Sequence, residues 1–322
     1  MGAPARLGLY GAVLLTVFAV AFVTANTVVP ESTVQSWSEE TADHTEDHGM
    51  STGKHQGAAT GLTLESSGYR LTDVTAPTKT DEEGDLALTV QGPDGEPVTD
   101  FEVSHEKELH LIVVRTDGTG FRHVHPERDT AGRWSIPWTW QEAGSYRVYA
   151  EFVPADTGND ITLSAVVHVG GNLTPSTPSE AVTATETDGY EVSVDGDLVA
   201  GEVSTLTVSV ARDGEPVTTL EPYLGAYGHL VALRDGDLAY LHVHPHGAEP
   251  RGSETSGPDV VFEVTTPTPG RYLLYLDFQV AGEVHTAELV LETTATALHS
   301  PASHDGDGAA EHGKRDSHDH DE

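Results

Sequence analysis

The chain has 322 residues, enough for two ordinary domains, and its 52 acidic residues outnumber 16 basic ones for a formal net charge of -36. A balance this acidic, with no basic cluster, excludes nucleic acid and anionic membrane surfaces as electrostatic partners. The absence of cysteine excludes disulfides and thiolate sites, and two methionines leave no thioether site, so any metal centre must be built from histidine and carboxylate.

In chain order, residues 1–30 come first, with an uncharged stretch from Leu7 to Pro30. It is long enough for a spanning helix. Arg6 before it and acids after it predict a single-pass anchor with the N-terminus inside and the domains outside. Cleavage near Ala25, where "VTA" offers small residues, is the alternative, giving a secreted chain. Residues 31–60 are acidic and Ser/Thr-rich, the composition of a flexible stalk. Two patterned blocks follow, 61–171 and 189–294, separated by a low-complexity linker at 172–188. Residues 295–322, "ATALHSPASHDGDGAAEHGKRDSHDHDE", read as a disordered His/Asp-rich tail able to hold metal ions loosely.

The two blocks are copies of one unit. "DGEPVTDFE" at 94–102 returns as "DGEPVTTLE" at 213–221, an offset of 119 that His110/His229, His123/His242 and His125/His244 keep. "AGSYRVYAEF" at 143–152 returns as "PGRYLLYLDF" at 269–278, at an offset of 126, so the second copy carries seven extra residues after its histidines. Within each copy the hydrophobic period is two, as in Leu86, Leu88 and Val90 or Leu206, Val208 and Val210. About seven short strands per copy and no amphipathic helix after residue 30 predict an all-β protein of two tandem immunoglobulin-like β-sandwich domains. Tyr146 and Tyr272 occupy the place of a tyrosine corner.

The repeated stretches "HLIVVRTDGTGFRHVHPE" (110–127) and "HLVALRDGDLAYLHVHPH" (229–246) each read as a hairpin. With Leu109–Arg115 as one strand and 121–126 as the next, His110, Ile112 and Val114 share a face with Phe121, His123 and His125. A turn centred on Asp117-Gly118 sets His110 opposite His125. A register following Asp235-Gly236 of the second copy would set the equivalents of His110 and His123 opposite each other. In both cases three imidazoles share one face, beside an apolar wall of Ile112, Val114, Val231 and Leu233. That arrangement is suited to a Zn(II) or Cu(II) ion. His229, His242 and His244 form the second set, with His246 as a further donor and His105 as an additional donor in the first copy. The counterpart of His105 is Leu224, so the two sets are unequal. Affinity is expected to fall below about pH 6.5, because imidazole must be neutral to ligate. His168 and His285 are read as structural.

"HEKELHLIVV", "FRHVHPE" and "AGSYRVYAEF", with "PYLGAYGHLVAL" and "YLHVHPH" in the second copy, resemble the YtkA-like group of exported bacterial proteins, which handle copper and other heavy metals. The likeness covers about residues 61–294. It implies a β-sandwich, an extracytoplasmic metal-linked role, and site positions at His105, Lys107, His110, His123 and His125, then at Tyr223, Gly225, His229, His242 and His244. Leu224 departs from the pattern. The sequence therefore leads to a membrane-anchored, non-enzymatic copper or zinc buffer or carrier. A structural or interaction module, in which the histidines only pack, is the alternative, and a zinc hydrolase the third reading. No Ser/His/Asp set, phosphate-binding Gly loop or paired-carboxylate motif stands out. The protein partner is left open.

Overall fold

The computed structural model describes residues 60–176, 180–241, 243–247, 250, 252 and 254–294, with His244 described in its backbone only. The expected anchor, most of the stalk, the tail and His242 lie outside the described residues. Among the described residues there is no helix, and none is long and apolar enough to cross a membrane.

The first repeat contains β1 (Glu65–Ser66), β2 (Tyr69–Thr75), β3 (Gly84–Gln91), β4 (Phe101–Glu102), β5 (Leu109–Arg115), β6 (Arg122–Val124), β7 (Glu127–Arg128), β8 (Arg133–Trp138), β9 (Gly144–Pro154) and β10 (Ile161–Val169). The second contains β11 (Ala184–Thr187), β12 (Tyr190–Asp195), β13 (Leu198–Val199), β14 (Val203–Arg212), β15 (Glu215–Pro216), β16 (His229–Arg234), β17 (Tyr240–Leu241), β18 (Val243–Pro245), β19 (Asp259–Thr265), β20 (Arg271–Val280) and β21 (Glu283–Thr294). In the first repeat one sheet runs β1-β2-β3-β8-β7 and the other β10-β9-β5-β6. In the second, β11-β12-β14-β19-β18 faces β13-β21-β20-β16-β17. This is the A-B-E-D over G-F-C arrangement of an immunoglobulin-like sandwich, with an added edge strand beside C. The strand count exceeds seven per copy because several edges are two-residue pairings.

Alternation explains each core. Leu86, Leu88 and Val90 from β3 meet Leu109, Leu111 and Val113 from β5 and Val148, Ala150 and Phe152 from β9. Leu206, Val208 and Val210 do the same against Leu230, Ala232, Leu274 and Leu276. Tyr146 Oη donates to the Glu142 carbonyl at 2.9 Å, and Tyr272 Oη to the Thr268 carbonyl at 2.7 Å. Both are tyrosine corners, four residues upstream and at the start of the penultimate strand.

Two expectations need correction. The stretch 172–188 is not a plain linker. Its last residues form β11, paired with β12, and its first are pinned to the first repeat through Arg115 with the Thr174 carbonyl and Asp117 with the Ser176 amide. Low-complexity sequence here still finds backbone partners, which composition does not reveal. Likewise the stalk does not extend through residue 60, because Thr60 bridges to Tyr240.

The two repeats lie within one compact unit and pack face to face. In β5 every residue is buried. Leu109, Leu111 and Val113 fill the first core, while Ile112 and Val114 on the other face join Tyr149, Val231, Leu233, Leu273 and Tyr275 in a separate cluster between the repeats. The apolar wall expected beside the histidines is therefore this seam.

Candidate metal centre

The seam is also where the histidines meet. β5 pairs with β6 as Leu111↔Val124, Ile112↔His123 and Val113↔Arg122, which sets His110 opposite His125. The second copy pairs Ala232↔Leu241 and Leu233↔Tyr240, the same register at an offset of 119. The alternative register, with His110 opposite His123, is thus excluded. Arginine clamps hold both turns. Arg115 grips Asp117 with two bonds of 2.8 Å, and Arg234 grips Asp237.

Three imidazole nitrogens converge. His110 Nδ1 lies 3.0 Å from His123 Nε2 and 3.1 Å from His125 Nε2. These are the ligand atoms of one three-histidine group compact enough to share an ion. His110 is buried, His123 has a side chain 5% exposed, and His125 is half-buried.

The outer nitrogens decide the tautomers. His110 Nε2 lies 3.0 Å from the Ser104 carbonyl, which can only accept, so that nitrogen carries the proton. His123 Nδ1 lies 2.9 Å from Asp277 Oδ2, across the seam, and donates to that carboxylate. Asp277 is itself 3% exposed and takes the Thr286 hydroxyl on Oδ1 at 2.6 Å. His110 Nδ1 therefore carries a lone pair, which faces His123 Nε2 at 3.0 Å and His125 Nε2 at 3.1 Å. His125 can place either a proton or a lone pair at the same point. Burial keeps His110 and His125 neutral. It lowers His110 to about 4, against the opposing pull of the Ser104 carbonyl, with the neighbouring His123 adding to the drop. Burial, then His123 and His110, lowers His125 to about 3.

His229 repeats half of this pattern. Its Nε2 donates to the Tyr223 carbonyl at 2.9 Å, the counterpart of Ser104, and burial lowers it to about 4. Its ring lies 6.3 Å from that of His123 and 5.3 Å from that of His105. A cavity of about 50 Å³ is lined by His105, His110, His123, His229, Glu151 and Tyr240, among others.

The remaining expected donors stand apart from the three-nitrogen group. His105 and Glu106, with φ of 47° and 63°, form the two central residues of a tight turn between Ser104 and Lys107, and His105 is exposed. Its ring centroid is 6.1 Å from that of His110. His246 has a side chain 65% exposed and sits 3.7 Å from Glu263. The His244 backbone pairs with Glu263 in β18, because in the second copy the chain passes to the other sheet after Leu241. Of the second predicted set, only His229 has a described side chain. His168 bonds Ser145, and His285 bonds Asp188 between Tyr190 and Phe278, away from the group.

Sequence reading missed Asp277, Ser104 and Thr286. A signal for Asp277 existed. It is an acid inside the apolar run "YLLYLDF", and Glu151 holds the same place in "YRVYAEF".

The profile of the family described as "Domain of unknown function (DUF8832)" matches residues 64–171 and 185–295, which is more than half of the chain. The chain belongs to this family. No curated protein matches it. Among solved structures, the Yersinia pseudotuberculosis adhesin InvE is 12% identical, over 71% of this chain and 60% of its own, with a TM-score of 0.22. Salmonella alpha-2-macroglobulin reacted with methylamine is 14% identical, over 76% of this chain and 16% of its own, with a TM-score of 0.25. The D0-D1 domain of intimin is 15% identical, over 70% of this chain and 97% of its own, with a TM-score of 0.18. Likeness at these scores carries no argument about what this DUF8832 chain does.

Proposed function

We propose that this DUF8832 protein is a metal-binding protein whose ion is held by His110, His123 and His125. One observation carries the reading. His110 Nδ1, whose proton sits on the opposite nitrogen at the Ser104 carbonyl, turns a lone pair toward His123 Nε2 at 3.0 Å and His125 Nε2 at 3.1 Å, while the Asp277 carboxylate holds the His123 ring from behind. Imidazole nitrogens this close are within reach of one ion at roughly 2.0–2.1 Å each. A carboxylate behind a ligating histidine is the usual outer support of such centres. The donor set of imidazoles without thiolate suits Zn(II) or Cu(II). Buffering or delivering copper or zinc outside the cytoplasmic membrane, from an N-terminal anchor, is the role we assign, in line with the resemblance to the YtkA-like group.

The test is metal retention. The intact chain is equilibrated with Zn(II) or Cu(II), passed through a desalting column against a weak chelator, and its metal content measured. The His123→Ala, His125→Ala double variant should lose one ion per chain while keeping its β-sheet circular dichroism. Equal retention by both would sink the reading, and loss only on removal of 295–322 would move the site to the tail.

A second reading has its own observation. His123 and Asp277 join the repeats directly, so the imidazoles also serve as a polar tie within an interaction module. Absence of retained metal, together with weaker docking of the repeats in the double variant, would favour it.

A further inference from the structure

The strand that carries the ligands is short and lies at a sheet edge. β6 has three residues and pairs only with β5 in its sheet. Its stretch of chain is gripped from the other side by the second repeat, at three successive points. At the turn, Tyr275 Oη donates to the Gly118 carbonyl at 2.6 Å. Gly118 packs so closely there that a Cβ would stand 2.6 Å from Leu273 Cδ1, at a φ of +82°. Three residues beyond Gly118, Phe121 stacks on Tyr275, with centroids 4.1 Å apart and planes at 4°. Two further on, His123 donates to Asp277. The grip has a reciprocal, since Tyr149 of the first repeat donates to the Leu238 carbonyl in the turn of the second.

We propose that the second repeat sets the ion affinity of the first. Asp277 is a positioning residue for His123, so ion loading and docking of the two repeats form one linked equilibrium. This rests on the metal reading above. Asp277 touches no ion in this scheme. It fixes the ring plane and tautomer of His123, and it is fixed in turn by Thr286 from β21. An undocked second repeat would leave His123 free to rotate, and its Nε2 would face the site only part of the time. Outer partners of ligating histidines typically contribute ~10–100-fold to affinity. Linkage makes the coupling reciprocal, so the ion must tighten the docked state by the same factor.

The experiment uses the full chain with Zn(II) alone, in competition with a chromophoric chelator, and Cu(II) for its visible spectrum. Asp277→Ala should weaken binding by ~10–100-fold and shift the copper absorption band, and Asp277→Asn, which can still accept the His123 proton, should recover much of both. Thr286→Val, which keeps the carboxylate but frees its second oxygen, should give a smaller loss and guards against a failure of the alanine variant to fold. Amide exchange supplies the reciprocal readout. Zn(II) should slow exchange in β16 and β20 of the wild type, and not in Asp277→Ala. Unchanged affinity and spectrum in folded Asp277→Ala and Thr286→Val, with wild-type zinc protection of β20, would overturn the proposal. Failure of the wild type to bind Zn(II) or Cu(II) at all would instead refute the metal reading on which it rests.

Discussion

His110 illustrates how a residue in a strand becomes a ligand. Its neighbours Leu109 and Leu111 point into the core, so the same alternation sends His110 to the seam. There burial removes water from the ring and the Ser104 carbonyl takes one nitrogen. The shifts of His110 and His229 to about 4, and of His125 to about 3, have a consequence for folding. In the unfolded chain these rings protonate near 6.5. Between there and 4 the unfolded state therefore binds more protons than the folded one, and stability rises with pH in that window. Metal-free protein should be fully stabilised by these rings above about pH 6.5 and lose that contribution as pH falls through 4. Urea denaturation at a series of pH values checks this, and a flat profile from pH 7 to 4 would contradict it. The same shifts bear on proton competition for an ion. His110 and His125 should compete with protons for an ion only well beneath pH 6.5, which metal retention measured across pH checks.

At the scale of the element, the hairpin and the corner do the positioning. The turn at Asp117-Gly118 sets the register, and a slip by one residue would send His123 and His125 to the face opposite His110. Arg115 secures it through its two bonds to Asp117, which burial alone would push up but which the guanidinium holds down at about 2. The tyrosine corners fix where β9 and β20 begin. Tyr272→Phe removes one buried hydrogen bond and should cost about 1 kcal/mol, read as a lower urea midpoint at constant slope. Tyr146→Phe should behave alike, since the two bonds differ by only 0.2 Å. The corners were legible beforehand, because a Gly-x-Tyr signature is local, whereas the turn residues left two registers open and the strand pairing chose between them. The early passage of the second copy to its other sheet after Leu241 was not, since the matching "HVHP" letters hide a different pairing.

Across the whole molecule, the seam makes two sandwiches into one object. Ile112, Val114, Tyr149, Val231, Leu233, Leu273 and Tyr275 bury a second face on each sheet. Leu273 is 3% exposed. Leu273→Ala should cost about 2–5 kcal/mol through lost burial and a residual cavity. It should also separate thermal unfolding into two steps if docking is what couples the repeats, which calorimetry would detect, and a single unshifted transition would argue against it.

The sequence by itself determined the duplication, the all-β class, the hairpin and the common face of its three histidines, because alternation and turn chemistry are properties of neighbouring residues. It also marked Ile112, Val114, Val231 and Leu233 as an apolar wall. Only the tertiary structure decided what that wall adjoins. Asp277 is 154 residues from His123, and no local pattern links them. The packing of one sheet on the other brings that carboxylate to the ring, fixes which nitrogen carries the proton, and leaves His105 and His246 outside the group, because side chains converge according to where whole faces dock.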